Sequence, residues 1–357
     1  MNAPMVNEHI IVRQADLSDQ SDRGQIDNWV LAHPQSTPFH RPQWLRAVEV
    51  ATGNRAFMLV AENDAGQIVG LVPCHAIKSP LFGNALVSSG FAVGGGILAG
   101  TQGIADRLAD SLWSLASEQR CTTAELRGGA IPLHGWTLQA EAHANFERAL
   151  AVDDEAELLT IPRKQRAEVR KGLDGGLTIE TGSGSRDLDW HYRIYSESVR
   201  NLGTPVFPRA LMAQTLSAFG DDADILTVLF NGAPVASVLS LYHKGAVMPY
   251  WGGGIWAARA LRANDVMYYA LMNHARRKGC TRFDFGRSKV ESGAYFFKKN
   301  WGFRPEPLTY STRTTDGVAP RDVNPTSGKY SAFVSIWQKM PLPLANLAGP
   351  WISRGLG

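Results

Sequence analysis

Lys298 follows Tyr295-Phe296-Phe297 and stands shortly before Trp301. Its aliphatic stem can therefore pack among rings while the ammonium reaches a cleft. A cation placed there stabilises the oxyanion that develops when a carbonyl is attacked. The same spacing also reads as a surface lysine on a helix, with Lys299 as its solvated neighbour. Asp284 lies between Phe283 and Phe285. A carboxylate in such an apolar strand needs a partner, and Arg287 is the near candidate. Asp284 then serves either as half of a structural ion pair or as a general base. Tyr250 closes the apolar run Val247–Trp251, where it holds a carbonyl, relays a proton or simply fills the core.

Arg163, Arg166 and Arg170 fall on one face of a helix opened by Pro162, widened by Lys164 and Lys171. Such a face suits the phosphates of a nucleotide- or lipid-linked saccharide, or of tRNA, and equally suits plain solvation. His40, Arg41 and Trp44 combine an imidazole, a cation and an aromatic plane fit for a sugar or phosphate. The chain carries no Gly-x-Ser-x-Gly elbow, His-Glu-x-x-His or Cys-x-x-Cys. Neither a covalent nucleophile nor a metal centre is expected. The three cysteines, Cys74, Cys121 and Cys280, lie far apart and read as buried thiols.

The elements that position these residues come in two copies. Phe57–Glu62 and Ile68–Ile77 flank the turn Asn63-Asp64-Ala65-Gly66, a hairpin signature. A glycine-rich stretch follows, then Ile104, Leu108, Leu112 and Leu115 at helical spacing, then the strand Thr123–Arg127. The order returns about 160 residues later. Ile225–Phe230 and Val235–Tyr242 flank Asn231-Gly232-Ala233-Pro234, and Val247–Trp251 runs into Gly252–Gly254. A helix is expected with Asn264 as N-cap and Gly279 at the C′ position, ahead of a strand over Thr281–Gly286. The pattern predicts a duplicated mixed α/β domain joined near Asp153–Pro162.

Two segments carry a resemblance. Phe283-Asp284-Phe285-Gly286-Arg287-Ser288 followed by Gly293–Phe303 resembles the C-terminal signature of the FemAB-like acyltransferases. Arg200–Pro208, Thr37–Trp44, Lys78–Gly83 and Ser88–Gly96 resemble the branch associated with PEP-CTERM/exosortase exopolysaccharide systems. The resemblance implies two tandem GNAT-like domains, over 1–155 and 156–330, with 331–357 as a tail. It implies acyl transfer, without a tightly bound cofactor, from aminoacyl-tRNA or acyl-CoA. The acceptor is an amine of a cell-envelope or exopolysaccharide precursor, a nucleotide- or lipid-linked saccharide or a peptide. It places a functional lysine at Lys298 and adds Arg200, Asn264 and Arg287 to the substrate-binding set. Two other readings stay open: an acetyl-CoA-dependent N-acetyltransferase acting on an amino sugar, and a non-catalytic scaffold or saccharide-binding module. The stretch Arg259-Ala260-Leu261-Arg262-Ala263-Asn264 stands where GNAT enzymes place glycines against a pyrophosphate, which favours the aminoacyl donor.

A net charge of +3 over 357 residues is too small to argue for nucleic acid. Met1–Gln14 lacks a signal-peptide core, and no apolar run reaches membrane-span length. The expected location is the cytoplasm. The tail pairs Trp337 and Trp351 with Lys339 and Arg354, so it either packs on the domains or touches the inner face of the membrane. Pro341, Pro343 and Pro350 are expected to break any long helix there.

Overall fold

A computed structural model describes residues 9–319, 321 and 331–357. Residues 1–8, within the stretch expected to carry no leader, and the end of the expected second domain lie outside it. By their internal contacts the residues form two units. The first holds the chain up to Gln139, a segment from Thr309, and Gly355–Gly357; the second holds Ala140–Leu308 and a segment ending at Arg354.

The first unit runs β1 (Ile11–Gln14), α1 (Gln20–Ala32), α2 (Pro42–Thr52), β2 (Arg55–Glu62), β3 (Ile68–Ser79), β4 (Gly83–Ser88), β5 (Leu98–Ala99), α3 (Gln102–Glu118) and β6 (Thr123–Arg127). Alternation along β2 sorts the core. Phe57, Leu59 and Ala61 pack with the apolar face of α3, while Ala56, Met58 and Val60 pack with Ile26, Val30 and Leu45 of α1 and α2. β1 to β4 pair antiparallel in sequence order, and α3 carries the chain to β6, parallel to β4.

The second unit begins with β7 (Thr137–Ala149), α4 (Asp154–Thr160), α5 (Arg163–Leu173), β8 (Leu177–Gly182), α6 (Ser185–Asn201) and α7 (Arg209–Phe219). It continues through β9 (Ala223–Phe230), β10 (Ala233–His243), β11 (Ala246–Gly254), α8 (Ala258–Leu261), α9 (Ala263–Arg277), β12 (Arg282–Asp284), β13 (Ser288–Lys289) and α10 (Gly293–Asn300). After β14 (Pro305–Thr314) come α11 (Ser331–Lys339) and α12 (Leu342–Ser353). β8 to β11 repeat the antiparallel ladder, and α9 carries the chain to β12, parallel to β11. The glycines of β11 show both faces covered. A Cβ on Gly253 would meet Ser198 of α6, whereas Cβ atoms on Gly252 and Gly254 would meet Tyr268 and Asn264 of α9.

Each sheet is completed by a strand from later or earlier in the chain. β7, next after β6 in sequence, pairs with β12 through Glu147–Ala149, and β14 pairs with β6 from Tyr310 onward. The expected join at 155/156 falls inside α4, while the contact boundary lies at Gln139/Ala140 because β7 serves β12. The tail forms two short helices rather than one long one: Pro341 caps α12 and Pro343 sits in its first turn, while Pro350 lies inside it.

Candidate active site

β11 and β12 share only two rungs, Ala246↔Arg282 and Val247↔Phe283. β11 runs on to Gly254, while β12 ends at Asp284 and the chain turns toward β7. There Phe285 N–H donates to Phe146 O at 2.8 Å and Ser288–Lys289 pairs with β7 as β13. The ladder between these two parallel strands therefore stops well before the second half of β11. Tyr268 of α9 reaches across that region. Its hydroxyl lies 3.5 Å from where a Gly252 Cβ would stand, and its ring is 4.8 Å from that of Phe285.

Lys298 is the buried residue of α10, while Phe296 and Lys299 of the same helix are exposed. Ser292 caps this helix by accepting from Tyr295 N–H. Lys298 Nζ donates to Gly286 O at 2.8 Å and to Arg287 O at 3.0 Å, beyond the end of β12. The Phe146 and Phe285 rings stand 5.4 and 5.8 Å away. Burial pushes the amine down to about 7; the Asp284 carboxylate opposes that shift and the Arg287 charge adds to it. Asp284 moves the other way. Its carboxyl is packed among protein atoms and rises to about 6, chiefly by desolvation, with Glu147 adding to the rise. Hydrogen bonds from Gly286 N–H, at 2.8 Å, and from Asn145 pull it back down, as does the Lys298 charge. A titratable acid and base, each displaced toward neutrality, thus flank one turn.

The structure brings Asp284 and Lys298 together, with Arg287 on the same turn. Arg287 gives Lys298 its carbonyl, and the Asp284 carboxylate takes the Gly286 amide. Tyr250 lies on the parted half of β11, its ring 4.9 Å from Trp251. Asn145 and Tyr268 escaped the sequence reading. Asn145 sits on a strand that showed no alternation to mark it, and Tyr268 is hidden among the core positions of α9. The hydrogen-bonding need of Asp284 was the one available signal for Asn145.

Elsewhere the assignments divide. Arg163, Arg166, Arg170 and Lys171 of α5 line one shallow surface depression with Asp174. Arg200 turns toward the tail, donating to Gln338 O and Met340 O. Asn264 is not the N-cap of α9. Arg262 takes that place in the left-handed region, φ 58°, and Asn264 falls in the first turn with Oδ1 buried beside Gly254. His40, Arg41 and Trp44 are all buried. Arg41 pairs with Asp27 through Nε and Nη2 at 2.9 and 3.0 Å. His40 Nε2 lies 3.1 Å from Gly96 O and Trp44 Nε1 donates to Gly90 O at 3.1 Å. Ser89 of the same glycine-rich segment donates to Phe39 O, and Arg127 and Tyr310 donate to the segment's Ala92 O and Val93 O. His75, pushed down to about 4 by burial, accepts from Gly90 N–H and faces Leu45 O. In the first unit, therefore, the segment after β4 is sealed against Gly128, whose oxygen would lie 1.8 Å from a Gly96 Cβ. That trio builds structure rather than a ligand surface.

Residues 162–299 match the acetyltransferase (GNAT) domain family. The chain has a tandem GNAT fold. FemX shares it at TM-score 0.65 and 14% identity, over 81% of this chain and 95% of that one. A tandem GNAT protein from the clavulanic acid biosynthesis pathway shares it at 0.54 and 13%, over 88% and 100%. The C-terminal domain of a putative lysylphosphatidylglycerol synthetase from Agrobacterium fabrum does so at 0.54 and 13%, over 84% and 93%. No curated protein matches the chain in sequence.

GNAT domains take acyl-CoA, whose pyrophosphate needs open backbone amides at the start of the helix after the parted strand. The start of α9 in this tandem GNAT fold does not fit that group. Asp265 holds a buried carboxylate in its first turn, bound by Gln165 at 2.6 Å. Arg262 occupies the cap, its guanidinium held by Glu168 at 2.6 Å and by Ala260 O at 2.9 Å. Gly172 of α5 packs so close that a Cβ would lie 2.6 Å from Val266. Among the described residues no cluster of His, Cys, Asp and Glu is arranged to hold a metal ion.

Proposed function

We propose that the chain is a FemAB-type acyltransferase that moves an aminoacyl or other acyl group from an activated donor onto an amine of a cell-envelope or exopolysaccharide precursor. The observation that carries this reading is the Lys298–Asp284 pair beside the parted strands. An ammonium has three N–H groups, and two of those on Lys298 are committed to Gly286 O and Arg287 O. The third is the donor for an oxyanion. The acceptor amine attacks the donor carbonyl, Asp284 takes the proton the amine sheds, and Lys298 holds the oxyanion until the ester or thioester bond breaks. Asp284 returns that proton to the departing hydroxyl or thiol as it leaves.

The crowded, acidic start of α9 supports aminoacyl-tRNA over acyl-CoA as donor, and the α5 arginines supply a face for phosphates of donor or acceptor. Similarity in fold to FemX and to a lysylphosphatidylglycerol synthetase domain agrees with that choice. The acetyltransferase description of the matched family keeps acetyl-CoA as the second reading. The test is to give the purified chain radiolabelled aminoacyl-tRNAs and acetyl-CoA in turn, with amine-bearing saccharide and peptide precursors. Aminoacyl product that disappears in Asp284→Asn supports the proposal. Acetyl product, or calorimetric binding of CoA, supports the second reading. Mass spectrometry of surface polysaccharide from cells with and without the gene then identifies the acceptor.

A further inference from the structure

The helix α12 is amphipathic in the wrong sense for a water-facing surface. Its buried positions, Ala345, Gly349 and Ser353, are small and recur at i, i+4 and i+8. Its outward positions are large and apolar: Leu344 is 55% exposed, Leu347 79% and Trp351 54%. No residue from Leu342 to Ser353 is charged. Packing locks this orientation. A Cβ on Gly349 would stand 2.9 Å from Val206, Ser353 Oγ donates to Val206 O at 2.9 Å, and Asn346 Nδ2 donates to Ser196 Oγ at 3.3 Å. The helix cannot roll its leucines inward without forcing larger side chains into those close approaches. α11 behaves alike, burying Trp337 and leaving Ile336 65% exposed.

Charge selects the occupant. The stretch Ser331–Gly357 contains no Asp or Glu, and the apolar face of α12 is flanked by Lys339 and Arg354. The Arg354 guanidinium stands 6.0 Å from the Trp351 ring. At about 18 Å, a helix of this length falls well short of a bilayer core, and no described helix is long and apolar enough to cross one. A second copy of the chain would bring these same cations with no carboxylate on the patch to meet them. We propose that the exposed face of α11 and α12 docks the protein onto an anionic bilayer surface. The leucines and Trp351 enter the acyl boundary, and Lys339 and Arg354 lie among the headgroups.

The test uses the full chain and vesicles of equal parts phosphatidylcholine and phosphatidylglycerol, with pure phosphatidylcholine as control. Wild type should cosediment with the anionic vesicles. Leu344→Glu with Leu347→Glu should lower partitioning at least about tenfold, with thermal stability unchanged because both side chains are exposed. Lys339→Gln with Arg354→Gln should lower it about tenfold or more on anionic vesicles and little on neutral ones. Wild type that stays in solution, or glutamate variants that bind equally well, overturns the proposal. So does a concentration-dependent dimer dispersed by the same glutamates in a chain that ignores vesicles, which would assign the patch to a second copy.

Discussion

Replacing Lys298 by Met removes an ammonium and keeps most of the stem, so packing against Phe146 and Phe285 should survive. The informative quantity is how stability changes with pH. Lys298 titrates near 7 when folded and at the ordinary 10.5 when unfolded. Between those values the unfolded chain binds a proton that the folded chain has released, so stability rises with pH; below 7 both states bind it and the slope vanishes. From pH 7 to pH 9 this gives wild type about 2 kcal/mol that Lys298→Met lacks. The absolute difference at one pH is less telling. Relief of a desolvated charge is opposed there by two stranded carbonyls, costing about 1–3 kcal/mol each. Urea unfolding of both proteins at pH 7, 8 and 9 reads the change without any substrate. Wild type should pull ahead of the variant by about 2 kcal/mol over that range. Parallel profiles would show a hydrated ammonium and refute the placement of Lys298 in a desolvated site. Once an acceptor is in hand, turnover of the variant should fall by a factor of about 10²–10³.

Turnover should peak in the window between about 6, below which Asp284 gains a proton, and about 7, above which Lys298 loses one. The two titrate as a unit, and a rate that climbs through pH 7 to a plateau would make Lys298 the base instead of the cation. Replacing Arg163, Arg166 and Arg170 by alanine should weaken binding of a nucleotide-linked sugar and flatten its salt dependence. Unchanged affinity and slope would mean a merely solvated face. Gly96→Ala should destabilise the chain by about 3 kcal/mol or more, read as a lower Tm, because the new methyl collides with the Gly128 carbonyl.

The repeated hairpin, glycine run, helix and strand were legible because they rest on periodicity and turn chemistry that a linear sequence displays. β6 was placed at its observed ends, Thr123–Arg127, and β9 and β10 to within two residues. β12 came out three residues short of its expected span because Gly286 and the Lys298 hydrogen bonds redirect the chain, a choice made by residues twelve positions apart. Lys298 and Asp284 stood out as charges set among aromatics. Their association did not, since it depends on where α10 docks. The His40–Trp44 cluster shows the reverse failure. Composition suited a ligand, and only the tertiary fold revealed that those side chains meet the chain's own groups, the Asp27 carboxylate and the carbonyls of Gly90 and Gly96. β7, β8 and β14 carry too many polar residues facing solvent for alternation to mark them.

The traded strands carry a consequence for synthesis. β6 leaves the ribosome early, but the strand that pairs with it from Tyr310 follows about 180 residues later. At roughly 5–20 residues per second, that edge waits about ten to forty seconds for its partner. β7 waits similarly for β12. The first sheet cannot be completed as its own half emerges, and the second depends on a strand made before its half, so a cut at the middle of the gene yields two fragments with open edges rather than two domains.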